Sequence, residues 1–189
     1  MRFLVPVIST SAIGPLAAAH GWANHVLQTA SDCDTTLSSF SSILNFRTKG
    51  CGSCRDFDYC ETGSENADGE WIESFQLNGI DNLSGKNQGY GDFTGQQSIL
   101  LQAGSTYPLV VEPGYGDFPF TEYVRIWIDF NLDGDFDDVG ELAKEAPPTA
   151  GTIATNITIP NWVSEGNTRM RVSLRFGQYP EVCELLRFG

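Results

Sequence analysis

The chain has 189 residues, 41% of them hydrophobic and 12% aromatic, enough apolar material to bury a core and exclude wholesale disorder. Its net charge of −13 repels phosphate backbones and anionic lipid, which argues against nucleic acid and membrane surfaces as partners. The same charge is compatible with binding cations.

Arg2 leads into the apolar run Phe3-Leu4-Val5-Pro6-Val7-Ile8, and small residues follow to Ala17-Ala18-Ala19, the form of a secretory signal. Pro6, Gly14 and Pro15 interrupt the run, which is too short and broken to span a bilayer. Residues 1–19 therefore read as a signal peptide or as an apolar N-terminal strand, and the expected location is extracellular or at the cell surface. Residues 20–56 form a Ser/Thr-rich extension whose scattered apolar positions (Leu37, Phe40, Ile43, Leu44, Phe46) do not amount to a separate core. Cys33, Cys51, Cys54, Cys60 and Cys183, in a chain with an export signal, read as a disulfide framework with one odd thiol. Cys51-Gly52-Ser53-Cys54 has neither the second CxxC nor the spaced histidines of a zinc site.

From residue 57 onward, short alternating runs recur between Gly, Asn, Asp and Ser punctuation. Strands are expected at Trp71–Leu77, Ser98–Leu101, Tyr107–Val111, Tyr123–Ile128, Gly151–Ile159 and Met170–Phe176. Arg169 to Phe176 alternates charged or polar residues with apolar ones, the mark of a strand with one wet face. No window sustains a 3.6-residue period. Strands at this spacing without intervening helices predict an all-β fold, an antiparallel β-sandwich of jelly-roll or immunoglobulin-like type occupying residues 57–189.

The segment Asp129-Phe130-Asn131-Leu132-Asp133-Gly134-Asp135-Phe136-Asp137-Asp138-Val139-Gly140-Glu141 places oxygen ligands at alternate positions and a glycine at the sixth. That is the pattern of a loop wrapped around Ca2+. Asp129, Asn131 and Asp133 would give side-chain oxygens, Asp135 its carbonyl, Asp137 a direct or water-mediated contact, and Glu141 would close the shell. Position twelve is Gly140, so the glutamate falls one place late, and a strand enters where an EF-hand has a helix. Six carboxylates in thirteen residues would repel one another without a cation. An EF-like calcium loop between strands, with a structural role, is expected.

These pieces resemble the GEVED domain, a module of secreted and surface-attached proteins. The resemblance rests on Tyr59-Cys60, Trp71–Phe75, Gly79–Asn82, Tyr90–Thr94, Asp117, Tyr123–Asn131, Thr168–Val172 and Cys183, over residues of about 58–189. Where the Gly-Glu-Val-Glu-Asp signature should follow, the sequence stops at Gly189, so the domain is expected to lack its last strand. The resemblance implies a β-sandwich with an extracellular accessory or adhesion-like role, no catalytic activity, and a Cys60–Cys183 bridge. Cys33, Cys51 and Cys54 would then supply one further bridge and the odd thiol.

No hydrolase, phosphate-loop or dinucleotide motif is present, and the expectation is that the chain is not an enzyme. Cleavage after Ala19 would expose His20, similar to copper-dependent polysaccharide monooxygenases, but the other histidine, His25, is too near to complete the copper brace. The main expectation is a structural or adhesion module stabilised by calcium and disulfides, which self-associates or meets other surface proteins or glycans. Phe3–Ile8, lent to a neighbour's open sheet edge, would build a fibre by strand exchange. Packing of residues 3–13 on their own chain would remove the basis for that idea. A carbohydrate- or protein-binding accessory module would instead show exposed aromatics, with Tyr90, Phe93, Tyr115, Phe118, Phe120 and Trp162 as candidates. Asn82 and Asn156 head glycosylation sequons.

Overall fold

The computed structural model describes residues 2–9, as backbone only, together with 59–96 and 98–187. The extension at 20–56, with Cys33, Cys51, Cys54, His20 and His25, lies outside the described residues. Among the described residues the elements are β1 (Arg2–Ser9), β2 (Gly63–Ser64), β3 (Glu70–Leu77), β4 (Ile80–Leu83), β5 (Gly91–Asp92) and β6 (Ile99–Leu101). They continue with β7 (Thr106–Tyr115), β8 (Glu122–Ile128), β9 (Leu142–Glu145), β10 (Ile153–Thr158), β11 (Asn167–Phe176) and β12 (Leu185–Leu186). No α-helix occurs among them.

Two sheets make the sandwich. One is four-stranded, in the order β10-β7-β3-β4, and antiparallel throughout. The other is six-stranded, in the order β5-β1-β11-β8-β9, with β6 also pairing β1. Their facing sides close one core. Ile72, Phe75, Leu77, Leu109, Val111, Ile153 and Ile157 come from the smaller sheet; Ile99, Leu101, Val124, Ile126, Ile128, Met170, Val172 and Leu174 come from the larger. The expected antiparallel β-sandwich is therefore what the chain forms.

Each expected strand is present, though two differ in detail. β3 does not keep strict alternation. Its pairing with β7 shifts register between Ile72 and Ser74, and this irregularity lets Ile72 join Phe75 and Leu77 in the core. β7 runs on from Val111 to Tyr115, through Pro113 and Gly114. The wet face expected on β11 is a correction: Arg171 and Ser173 are as buried as Met170 and Val172. The polar side of β11 is covered by a second, smaller cluster of Trp127 and Phe136 with Tyr59, Tyr90 and Val182. The disulfide Cys60–Cys183, with Cα atoms 5.4 Å apart, ties two of the covering segments together, as the resemblance implied.

The apolar N-terminal segment lies within its own chain's sheet. β1 runs antiparallel to β11, from Arg2 opposite Ser173 to Ile8 opposite Asn167. Its other edge pairs in parallel with β5 at Phe3–Leu4 and with β6 at Val7–Ser9. This is the placement that removes the sequence-based reason for donating the strand to a neighbour.

Candidate metal centre

The acidic loop begins where β8 ends. Ile128 closes the core, and the next residue, Asp129, is fully buried at 0% exposure. Its main chain stays anchored to β11: its N–H donates to the Arg169 carbonyl at 3.2 Å and its carbonyl accepts from the Thr168 hydroxyl. Two aromatic side chains then hold the loop from either side. Phe130 enters the main core and meets Trp162 edge-on, while Phe136 enters the second cluster and stacks on Tyr59 at 4.7 Å. The apolar residues within the acidic motif thus fix where its oxygens can go.

Asp129 organises the turn. One carboxylate oxygen accepts from the N–H groups of Leu132 (2.6 Å) and Asp133 (3.2 Å), the other from Gly134 (3.1 Å) and from the Tyr59 hydroxyl (2.7 Å). Burial, and then the bond to Asp129, push the Tyr59 hydroxyl well above its ordinary pKa, so it remains a donor. Leu132 and Gly134 both adopt left-handed backbone, at φ 65° and 102°, and the sixth-position glycine meets the tight-turn requirement.

The late glutamate has a geometric cause. Gly140 is left-handed, φ 101°, and a Cβ there would lie 2.9 Å from the Trp162 ring. The chain reverses at Gly140 and delivers Glu141 back under the loop, where it is 0% exposed. Glu141 accepts from the N–H groups of Phe130 at 3.0 Å and Asp138 at 3.4 Å, while its carbonyl accepts from Ile128 N–H. Burial and, next, the charge of Asp129 push its carboxyl up to about 7. Two buried carboxyls placed side by side call for a proton or a cation between them.

Asp129, Asp133 and Glu141 bring one carboxylate oxygen each to within 4.8 Å of one another. A second group, Asp133, Asp135 and Asp138, shares Asp133 with the first. The oxygens are hard donors, suited to a hard divalent ion, and the acidic groups could hold one. Asn131 sits in the same turn, its side-chain oxygen accepting from Asp133 N–H at 2.9 Å and its amide nitrogen donating to Asp138. Asp135 accepts from Asp137 N–H at 3.0 Å, and the Asp137 side chain is exposed and belongs to neither group. Sequence spacing missed Asp138, whose doubled acid with Asp137 was the available signal. It also missed Tyr59, which no local pattern could connect to a loop seventy positions away.

Of the other candidate residues, Tyr115 and Phe120 meet edge-on. Tyr90 and Phe93 pack on the two clusters, Trp162 leans on Phe130, and Phe118 is exposed. Of the sequon asparagines, Asn156 is exposed on β10 and Asn82 is buried in β4.

No curated protein and no solved structure matches the chain. The stretch from β8 through the acidic loop, β9, β10 and β11 to the Cys183 end, residues 123–189, matches the family model of the GEVED domain, the family that the sequence resembles.

Proposed function

We propose that the chain is a non-catalytic extracellular structural module whose sandwich is fastened by a calcium ion in the 129–141 loop and by the Cys60–Cys183 disulfide. The observation that carries this reading is the meeting of Asp129, Asp133 and Glu141, two of them fully buried, at the junction of β8, β9 and β11. An ion there neutralises carboxylates that otherwise face one another and joins the ends of three strands. Asp129 and Glu141 would bind from beneath and Asp133 from the loop, with Asn131, Asp135 and Asp138 on its outer side. The disulfide and the GEVED match support an extracellular setting. No helix among the described residues is long and apolar enough to cross a membrane.

Thermal unfolding with excess calcium and with a chelator, at constant ionic strength, tests the reading. Calcium raises the midpoint by several degrees in the parent protein and not in Asp133→Ala. An ion-free preparation that shows no shift with added calcium sinks the assignment.

A second reading, a glycan- or protein-binding accessory module, is favoured by one feature. Tyr115, Phe120 and Phe176 form a row of rings, with centroids 6.2 Å and 5.3 Å apart. Phe176 borders a cavity of about 350 Å³ shared with Glu70, Arg175 and Glu184. Chemical-shift changes confined to these rings on titration with soluble oligosaccharides would support it. Strand exchange would require β1 to leave its ladder on β11, and no observation favours it.

A further inference from the structure

At the end of the sandwich that carries Tyr115, two glutamates face each other from opposite sheets. Glu70 opens β3 and is 5% exposed; Glu122 opens β8 and is 0% exposed. Their polar surroundings are unequal. Glu70 accepts the Phe176 N–H at 3.2 Å, reaching across to β11 opposite Glu122 itself. Glu122 has neither carboxyl oxygen bonded to a donor of the described protein, although its backbone is fixed by two bonds to Thr149. A fully buried carboxylate with no donor is unstable, and a protonated one needs only an acceptor. The acceptor is the neighbouring Glu70.

We propose that Glu122 keeps its proton at neutral pH and donates it to the Glu70 carboxylate, stapling the two sheets at this end until alkaline pH removes that proton. The asymmetry of donors sets the direction: Glu70, already served by a backbone N–H, is the charged member, and Glu122 is the neutral one. Burial raises both carboxyls, and the charge of Glu70 raises that of Glu122 further. Among the described residues, the other groups facing the pair are few. From β7, Tyr115 is itself pushed up to about 12 by burial and then by the two glutamates, and its hydroxyl donates to the carbonyls of Phe120 and Ala150 rather than to either acid. On the cavity side, Arg175 is engaged by Glu184 at 2.7 Å, and Arg187 lines the same wall.

The sign of the stability change follows. In the unfolded chain both glutamates ionise in the ordinary carboxylate range, whereas folded Glu122 still holds its proton above it. The folded state therefore binds more protons through neutrality, and stability falls as pH rises. Glu141 shares this trend when no ion is bound, so the comparison is made in a Glu141→Gln background. Thermal unfolding from pH 5.5 to 9 at constant ionic strength is expected to show the Glu141→Gln protein losing about 5 °C or more across that range. Glu141→Gln/Glu122→Gln, whose amide donates to Glu70 but cannot ionise, is expected to have a much flatter profile and the higher midpoint at pH 9. Equal slopes in the two proteins overturn the proposal. So does a rise at pH 9 on adding calcium or magnesium that needs Glu122, because the pair would then hold a cation. Should the double variant fail to fold, carbon-13 titration of glutamate side chains in the Glu141→Gln protein decides: one carboxyl titrating at or above neutrality supports the proposal, and all in the ordinary range refute it.

Discussion

The Arg171 guanidinium donates to the Cys60 carbonyl at 2.8 Å and to the Val182 carbonyl at 2.6 Å, and lies 3.1 Å from the Cys60 sulfur. A buried arginine, 1% exposed, thus serves main-chain carbonyls of both disulfide-linked segments while resting 4.9 Å from the centre of the Phe136 ring. Burial lowers its pKa, but the side chain remains the donor that seals the outer face of β11.

Arg171→Met should therefore cost more than its position on a nominally solvent-facing side of a strand suggests. Removing the guanidinium leaves two carbonyls short of a donor, and a destabilisation of about 2–4 kcal/mol is expected. Chemical denaturation gives the size of the loss. Hydrogen exchange should place the first loosening at residues 180–186 and around Cys60, ahead of the main core.

Loss of the disulfide reaches further. Cys60→Ser/Cys183→Ser removes a cross-link spanning 123 positions, a loss of about 4–5 kcal/mol on the chain-entropy account. The melting midpoint should fall by about 10 °C or more. Tyr59 is the residue before Cys60 and donates to Asp129 at 2.7 Å, so the variant should also bind calcium several-fold more weakly by calorimetry. Tyr59→Phe should reproduce the weaker binding without most of the thermal loss.

Calcium affinity should depend on pH through Glu141. Its carboxyl, raised to about 7 by burial and then by Asp129, must lose its proton before it can ligate. Affinity should be nearly constant above pH 8 and fall by up to about tenfold per pH unit below 7. Calorimetry in buffers of different ionisation enthalpy should detect release of close to one proton per ion at pH 6. Glu141→Gln should remove the proton release and bind more weakly at every pH. In the ion-free protein the same group works the other way: the folded state holds the extra proton, so its contribution to stability is present in acid and lost as pH rises through about 7.

Gly140→Ala tests the turn that delivers Glu141. The φ of 101° and the Trp162 ring 2.9 Å from the new Cβ both oppose the substitution. A loss of about 1–3 kcal/mol is expected, with a drop in calcium affinity that Gly151→Ala, on another turn where a Cβ meets only Thr149 Oγ1 at 4.0 Å, should not show.

The strands and the acidic loop were legible because their signals are local. Val124, Ile126 and Ile128 alternate into the core as written, and Asp129, Asp133 and Glu141 converge once Gly134 and Gly140 bend the chain. What could not be read depends on distant partners. The alternation of β11 correctly separated Met170 and Val172 from Arg171 and Ser173, but nothing nearby reveals that Phe136, Val182 and Tyr59 cover the second face. The short strands β4 and β9 were missed because Ile80–Leu83 and Leu142–Glu145 carry too few apolar residues to alternate visibly. Glu122 stands just before the strand expected at Tyr123–Ile128 and carried no signal of its own; only the packing of the other sheet makes it a buried acid beside Glu70.

The contact between Tyr59 and Asp129 links covalent chemistry to ion occupancy. If forming the Cys60–Cys183 bond tightens the loop's grip on calcium, thermodynamic reciprocity requires that calcium make that bond correspondingly harder to reduce. In a calcium-rich medium the protein would then resist reductants that open it once the ion is withdrawn. The staple and the ion would guard each other.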